Sequence, residues 1–247
     1  MLFRSDPQWW RMEKALSLKR KSATASASAL ARPGDSFLIV TEGTVTEPIY
    51  FELLRNELQL STVRVRVEPG DGTDPQRVIE TATRLANEQQ RKCRSGTLGF
   101  NEPAKFEHLW AVLDADVAVK HGIWGEVGRL AGHRKVKLAH SRPCFEYWLL
   151  LHLAYTTRND LHDGAAAKTV FMHEFRKAYS TLTTVANEAI SAVISSWPKA
   201  VVHGEQVRQY HAAAGTRHPA NPSTEVCALV RALNDSAPAY LRKLKPI

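Results

Sequence analysis

Three carboxylates stand where apolar runs end. Glu42 closes the run "SFLIVT" with Gly43 directly after it, and Asp114 and Asp116 close "HLWAVLDAD". In an extended segment residues i and i+2 point to the same side, so Asp114 and Asp116 can face a common point. If the two strands are neighbours, all three acids converge. Gathered negative charge is unfavourable unless protons are taken up or a cation neutralises it, and both routes are open at this level. Oxygen ligands with no Cys or His nearby favour a hard ion, Mg²⁺ or Mn²⁺, over zinc. The plainer reading of D-x-D is a turn or a helix cap. Gly43 permits a tight turn or a close approach of backbone to a phosphate.

The elements that must position these acids alternate. "SFLIVT" reads as a strand buried on both faces. Thr46-Glu47-Pro48 then supplies a cap, an acidic first turn and an early proline, with Tyr50, Leu53, Leu54 and Leu58 following at helical spacing. "TVRVRVEPGDG" alternates Val63, Val65 and Val67 with Arg64 and Arg66, a half-exposed strand ending in a turn. Asp74-Pro75 opens a helix whose apolar side carries Val78, Ile79, Ala82, Leu85 and Ala86. "HLWAVLDADV" is a second fully apolar strand, "WGEVGRLA" a short helix, "KVKLAHS" a strand and "RPCFEYWLLLHLAY" a helix. Strands separated by helices of this length imply right-handed crossovers and a mainly parallel sheet. After residue 155 the strand signals stop. "AAAKTVFMHEFRKAY", "TTVANEAISAVISSW" and "PSTEVCALVRAL" read as helices, the last opened by Asn221 as cap and Pro222 in first position. The expected division is a mobile basic leader over 1–35, an α/β domain over 36–155 and a helical C-terminal region over 156–247.

In an open parallel sheet, ligands bind beyond the carboxyl ends of the strands, where Glu42, Asp114 and Asp116 are expected. The strand before Asp114 resembles a Walker B segment, but the chain contains no G-x-x-x-x-G-K-[ST], which excludes a P-loop ATPase. It also lacks G-x-S-x-G, H-E-x-x-H and paired C-x-x-C, so serine hydrolases, zincins and zinc ribbons have no support. Lys and Arg number 33 against 25 acids, a formal charge of +8, which places nucleic acid first among partners. The densest basic run is Lys19-Arg20-Lys21, in a Ser/Ala-rich leader where these residues either touch phosphates or are simply solvated. No run approaches the roughly 20 apolar residues of a membrane span, and no secretory signal opens the chain, so a cytoplasmic protein is expected. Cys93, Cys144 and Cys227 match no metal or redox spacing and read as packing residues. His152, alone on an apolar face, reads as a hydrogen-bonded core histidine.

"LIVTEGTVTEPIYF", "LWAVLDADV", "AHSRPCFEYWLLLHL" and "NPSTEVCALVRAL" resemble, in this order and spacing, the RloB-like family of prokaryotic proteins, whose core is a Toprim-like domain. The resemblance implies a Toprim-like, mainly parallel sheet flanked by helices, with a helical C-terminal extension. It places Glu42 in the role of the glutamate after the first strand, and Asp114 and Asp116 in that of the D-x-D, together holding Mg²⁺. Glu47 falls in the family's E-G-x-x-T-E block, either supporting the site or complementing the helix dipole, and Glu146 in its P-C-F-E block, where it is a candidate further metal ligand. Two departures stand out. Ala115 and Val117 occupy positions that usually hold an arginine and an acid, and Arg142 replaces a usual asparagine, restoring some positive charge for phosphate contact. The implied activity is metal-dependent cleavage of nucleic acid, RNA and especially tRNA before DNA, by an effector of anti-phage defence working beside an AAA-type ATPase. The alternative is a Toprim-like module that binds nucleic acid or the ATPase without catalysis. The helical tail is also a candidate for homo-oligomer assembly.

Overall fold

The computed structural model describes residues 35–61, 65–72, 74–99, 102–178 and 186–244. The basic run Lys19-Arg20-Lys21, nearly all of the leader, and Val63 and Arg64 lie outside the described residues. Residues Gly34–Ile247 form one compact unit.

Five strands make a single sheet in the order β2-β1-β3-β4-β5. They are β1 (Phe37–Thr41), β2 (Val65–Pro69), β3 (His108–Asp114), β4 (Val136–Arg142) and β5 (Ser223–Thr224). The first four are parallel, and β5 adds antiparallel beside Ser141 and Arg142. The helices between them are α1 (Thr46–Glu57), α2 (Pro75–Arg94), α3 (Asp116–Lys120), α4 (Trp124–Arg134) and α5 (Phe145–Leu153). Then come α6 (Gly164–Ala178), α7 (Ala186–Val193), α8 (Trp197–Ala213) and α9 (Val226–Ser236). The fold is therefore α/β with a mainly parallel sheet and a helical C-terminal region, as expected. Among the described residues no helix is long and apolar enough to cross a membrane.

Alternation along β1 explains the layering. Phe37 and Ile39 point into one core with Trp110 and Val112, under Tyr50 and Phe51 of α1 and Trp148 of α5. Leu38 and Val40 point into the other, with Ala111 and Leu113, under Val78 and Ile79 of α2 and Val127 of α4. Burial on both sides is why these strands are continuous apolar runs. The helices after residue 155 complete the first core: Phe175, Ile190, Trp197, Val201 and Leu229 are buried in it. They cover the sheet, sharing its core.

Three local expectations need correction. The helix expected to open at Asn221-Pro222 opens at Val226, because Asn221-Pro222 leads into the strand Ser223–Thr224. Helix α8 is a 17-residue element with Pro198 near its start, and its buried Trp197, Ala200, Val201, Gly204 and Val207 recur at helical spacing. Small residues and histidines dilute the apolar stripe that would have marked it. Gly204 is where α8 meets α9, since a Cβ there would lie 2.9 Å from the Cβ of Cys227. Of the cysteines, Cys144 and Cys227 are buried packing residues, but Cys93 is exposed on α2. His152 is a satisfied core histidine: its Nδ1 lies 3.1 Å from the Trp148 carbonyl and its Nε2 3.2 Å from the Tyr50 hydroxyl.

Candidate active site at the carboxyl edge

Register brings the first two acids together. Thr41 pairs with Val112, so β3 runs two residues past the end of β1, and the chain after β1 lies beside Asp114. The Glu42 backbone N–H donates to the Val112 carbonyl at 2.9 Å, and the Asp114 N–H donates to Glu42 Oε2 at 2.9 Å. Glu42 is thereby locked against β3 by its own side chain.

Glu47 and Glu146 join this pair. Glu47, in the first turn of α1, is buried despite its charge. Its carboxylate lies over Gly43 so closely that a Cβ at Gly43 would stand 2.0 Å from Glu47 Oε2. Space, therefore, is what requires glycine here. Glu146 opens α5 beyond β4, and its charge is felt by both Glu47 and Asp114. Glu47 is thus buried at the start of α1 and close enough to Glu146 to feel its charge, while backbone hydrogen bonds there oppose the effect of burial.

The four groups repel one another in a partly dry setting. Burial raises Glu42 to about 7, opposed by the hydrogen bond from Asp114 and reinforced by Glu47 and Asp74. Burial raises Asp114 well above the usual carboxylate range, with Glu42, Glu47 and Glu146 adding to it and a backbone hydrogen bond from Phe145 opposing it. Glu47 is raised by burial and then by Glu146. Burial, with Glu146 and Asp114 nearby, also pushes the Cys144 thiol upward, so Cys144 is no thiolate nucleophile.

Asp116 does not join them. Strand β3 ends at Asp114, Ala115 has helical backbone angles (φ −83°, ψ −15°), and Asp116 is the first residue of α3. The expectation that Asp114 and Asp116 face one point held only for extended backbone, and one helical residue between them turns Asp116 aside. Asp116 is buried against cations instead: Lys120 Nζ lies 2.6 Å from its Oδ2 and Arg142 Nε 3.8 Å from its Oδ1. Arg142 is further engaged, donating through Nη1 to the Pro219 carbonyl at 2.9 Å. It braces the loop before β5, which leaves little of it for phosphate. Lys120, which sequence reasoning passed over, had a signal in its i+4 spacing from Asp116.

The cluster's chemistry fits a hard divalent cation: four carboxylates, a neighbouring thiol, Cys144, held upward from its ordinary range, and mutual repulsion that a cation would relieve. Glu42 and Asp114 would hold it, with Glu47 and Glu146 in reach of the same charge. Among the described residues no three His, Cys, Asp or Glu side chains stand at ion-holding spacing, so side chains would have to turn inward for a cation to be held. No curated protein and no solved structure matches the chain. A family model does: the description "RloB-like protein" matches residues 37–233, spanning β1 through α9 and every acid of the cluster, and the chain belongs to the RloB-like family.

Proposed function

We propose that the protein is a metal-dependent nuclease that hydrolyses phosphodiester bonds at this carboxyl edge. The observation that carries the reading is the cluster itself, in which Glu42 is pinned to the Asp114 N–H and brought to about 7 beside an Asp114 raised well above its ordinary value. Like charges held together at a cost to stability are the signature of a site kept for function. A bound Mg²⁺ or Mn²⁺ would supply charge neutralisation at the phosphate oxygens. The chain's own contribution is a carboxyl that exchanges its proton near neutral pH. Glu42, held by the Asp114 N–H, fits general acid or base work there. The backbone pin on Oε2 fixes the carboxyl group and leaves Oε1 to carry the proton, so the acid is positioned before substrate arrives.

Family resemblance extends the reading to an anti-phage effector acting on RNA, tRNA first and DNA second, beside an AAA-type ATPase. The excess of basic residues supports a polyanionic substrate. Incubation of wild type and Glu42→Gln with end-labelled tRNA, other RNA and DNA, in Mg²⁺ or Mn²⁺ against EDTA, tests it. Discrete cuts lost in EDTA and reduced about 10²- to 10⁴-fold in the variant are expected. Equal cutting by both proteins overturns the role of Glu42.

One observation favours the second reading, a binding module without catalysis: Asp116 is occupied by Lys120 and Arg142. That reading requires tight nucleic-acid or ATPase binding, unchanged by Glu42→Gln, with no cleavage in any metal.

A further inference from the structure

The rim of the carboxylate cluster carries side chains that the proposed chemistry does not use. On the β2 side, the turn Gly70-Asp71-Gly72 and the start of α2 form an open depression of about 400 Å³ lined by Asp71, Arg77, Glu80, Thr81 and Arg84. Its charges are not equivalent. Asp71 is already satisfied, accepting from Arg84 at 2.8 Å and Thr81 at 3.0 Å, and Arg84 also donates to Glu88. Arg77 is exposed, and among the described residues no ion pair closes on it, though Asp71 feels its charge. The depression adjoins the acids directly: the Gly70 N–H donates to the Thr41 carbonyl at 2.7 Å, and Asp74, the cap of α2, contributes to the field at Glu42.

On the opposite side Lys120 ends α3. One of its three donors meets Asp116, and its side chain is 59% exposed, so the others face solvent. At the same edge of the sheet two large apolar side chains are exposed, Val45 at 53% and Val117 at 56%. Val45 lies in the turn after β1 and Val117 in the first turn of α3 after β3, the two strands whose ends carry Glu42 and Asp114. In the strand order β2-β1-β3, Arg77 follows β2, Val45 and Glu42 follow β1, and Asp114, Val117 and Lys120 end or follow β3; such a row suits a polynucleotide strand, with phosphates on the cations and sugars or bases on the valines.

We propose that a nucleic-acid strand crosses the carboxyl edge from Arg77 to Lys120, its phosphates on these two cations and its sugars or bases against Val45 and Val117. The inference rests on the nucleic-acid part of the proposed function but not on cleavage. It makes Arg77 and Lys120 positioning residues that fix register across the acids, and it runs the strand perpendicular to the β-strands.

Direct binding of labelled single-stranded RNA and DNA to the full chain in EDTA, followed by fluorescence anisotropy over a salt series, tests it. Arg77→Gln and Lys120→Gln are each expected to weaken binding several-fold and to lower the salt slope by about one. Val117→Asp is expected to weaken it as well. Arg94→Gln is the matched control: it ends the same helix about 25 Å from Arg77, at the far edge of the sheet, and is expected to bind as wild type. Asp116→Asn breaks the same ion pair as Lys120→Gln yet keeps the cation, and is expected to bind at least as tightly as wild type. The proposal is overturned if wild type does not bind, if neither cation variant changes affinity or slope, or if Arg94→Gln weakens binding as much as they do. A protein that binds along this track and never cuts loses the hydrolysis reading alone. One that cuts while both cation variants bind normally loses this inference alone.

Discussion

Two aspartates separated by one residue live in opposite electrostatic worlds. Asp114 ends β3 among Glu42, Glu47 and Glu146, and among the described residues the group that offsets its charge is the Phe145 backbone N–H. Asp116 begins α3 against Lys120 and Arg142 and is neutralised where it stands. The difference teaches that burial of a carboxylate does not by itself mark a site. Asp116 is a buried acid made comfortable, and it contributes to holding α3 on β4. Asp114 is a buried acid kept uncomfortable, which is what makes its end of β3 the candidate site.

The largest expected effect concerns pH. Glu42 titrates near 7 in the folded chain against an ordinary 4.5, so the folded state holds its proton longer than the unfolded one. Its contribution to stability is fully present below about 4.5 and is lost as pH rises through about 7. Glu42→Gln lacks this loss. In EDTA the variant should therefore match wild type near pH 4.5 and exceed it by about 3 kcal/mol by pH 8. Urea unfolding of both proteins across this range measures the gap, and a constant gap would remove Glu42 from the strained group.

Next comes the pair itself. Asp114→Asn relieves repulsion and should raise stability by about 2 kcal/mol while reducing cleavage more than about 10²-fold. Asp116→Asn removes a favourable pair and should lower stability by about 1 kcal/mol, with the smaller effect on cleavage. Thermal melts and single-turnover cleavage read both, and a shift of the same sign in the two variants would erase the distinction drawn above.

Gly43→Ala sharpens the comparison from the other side. The added Cβ collides with the Glu47 carboxylate, which must swing away at a cost of about 1 kcal/mol or less, because the colliding atoms end a flexible side chain. Cleavage should fall, though less than in Glu42→Gln. Activity equal to wild type would show that Glu47 is not needed where it stands.

Much of this arrangement was legible in the residues, for reasons that also explain what was not. β1 and β3 were readable because strands buried on both faces are unbroken apolar runs, and Glu42 and Asp114 because charges after such runs lie at the sheet's carboxyl edge. Asp116 was misplaced because two-residue periodicity applies only while backbone stays extended, and nothing in "DAD" announces that Ala115 is already helical. Strand β5 is two residues long and has no periodicity to show. Asn221-Pro222 has the residue types of a cap followed by a first-turn proline but leads into β5, so α9 starts several residues later than expected. Arg142 was assigned to phosphate contact because it replaces a usual asparagine of the family pattern, and only the fold reveals that Pro219 and Asp116 hold it.

The most direct test of the central claim, that the Asp114 cluster is a strained site awaiting a cation and the Asp116 corner is not, is a melting-temperature titration with Mn²⁺. Wild type and Asp116→Asn should both rise in melting temperature as Mn²⁺ is added, with about 2.7 kcal/mol gained at a concentration one hundred times the dissociation constant. Asp114→Asn should start higher and respond little. A wild-type melt that ignores Mn²⁺, or an Asp114→Asn melt that climbs with it as wild type does, would contradict the claim.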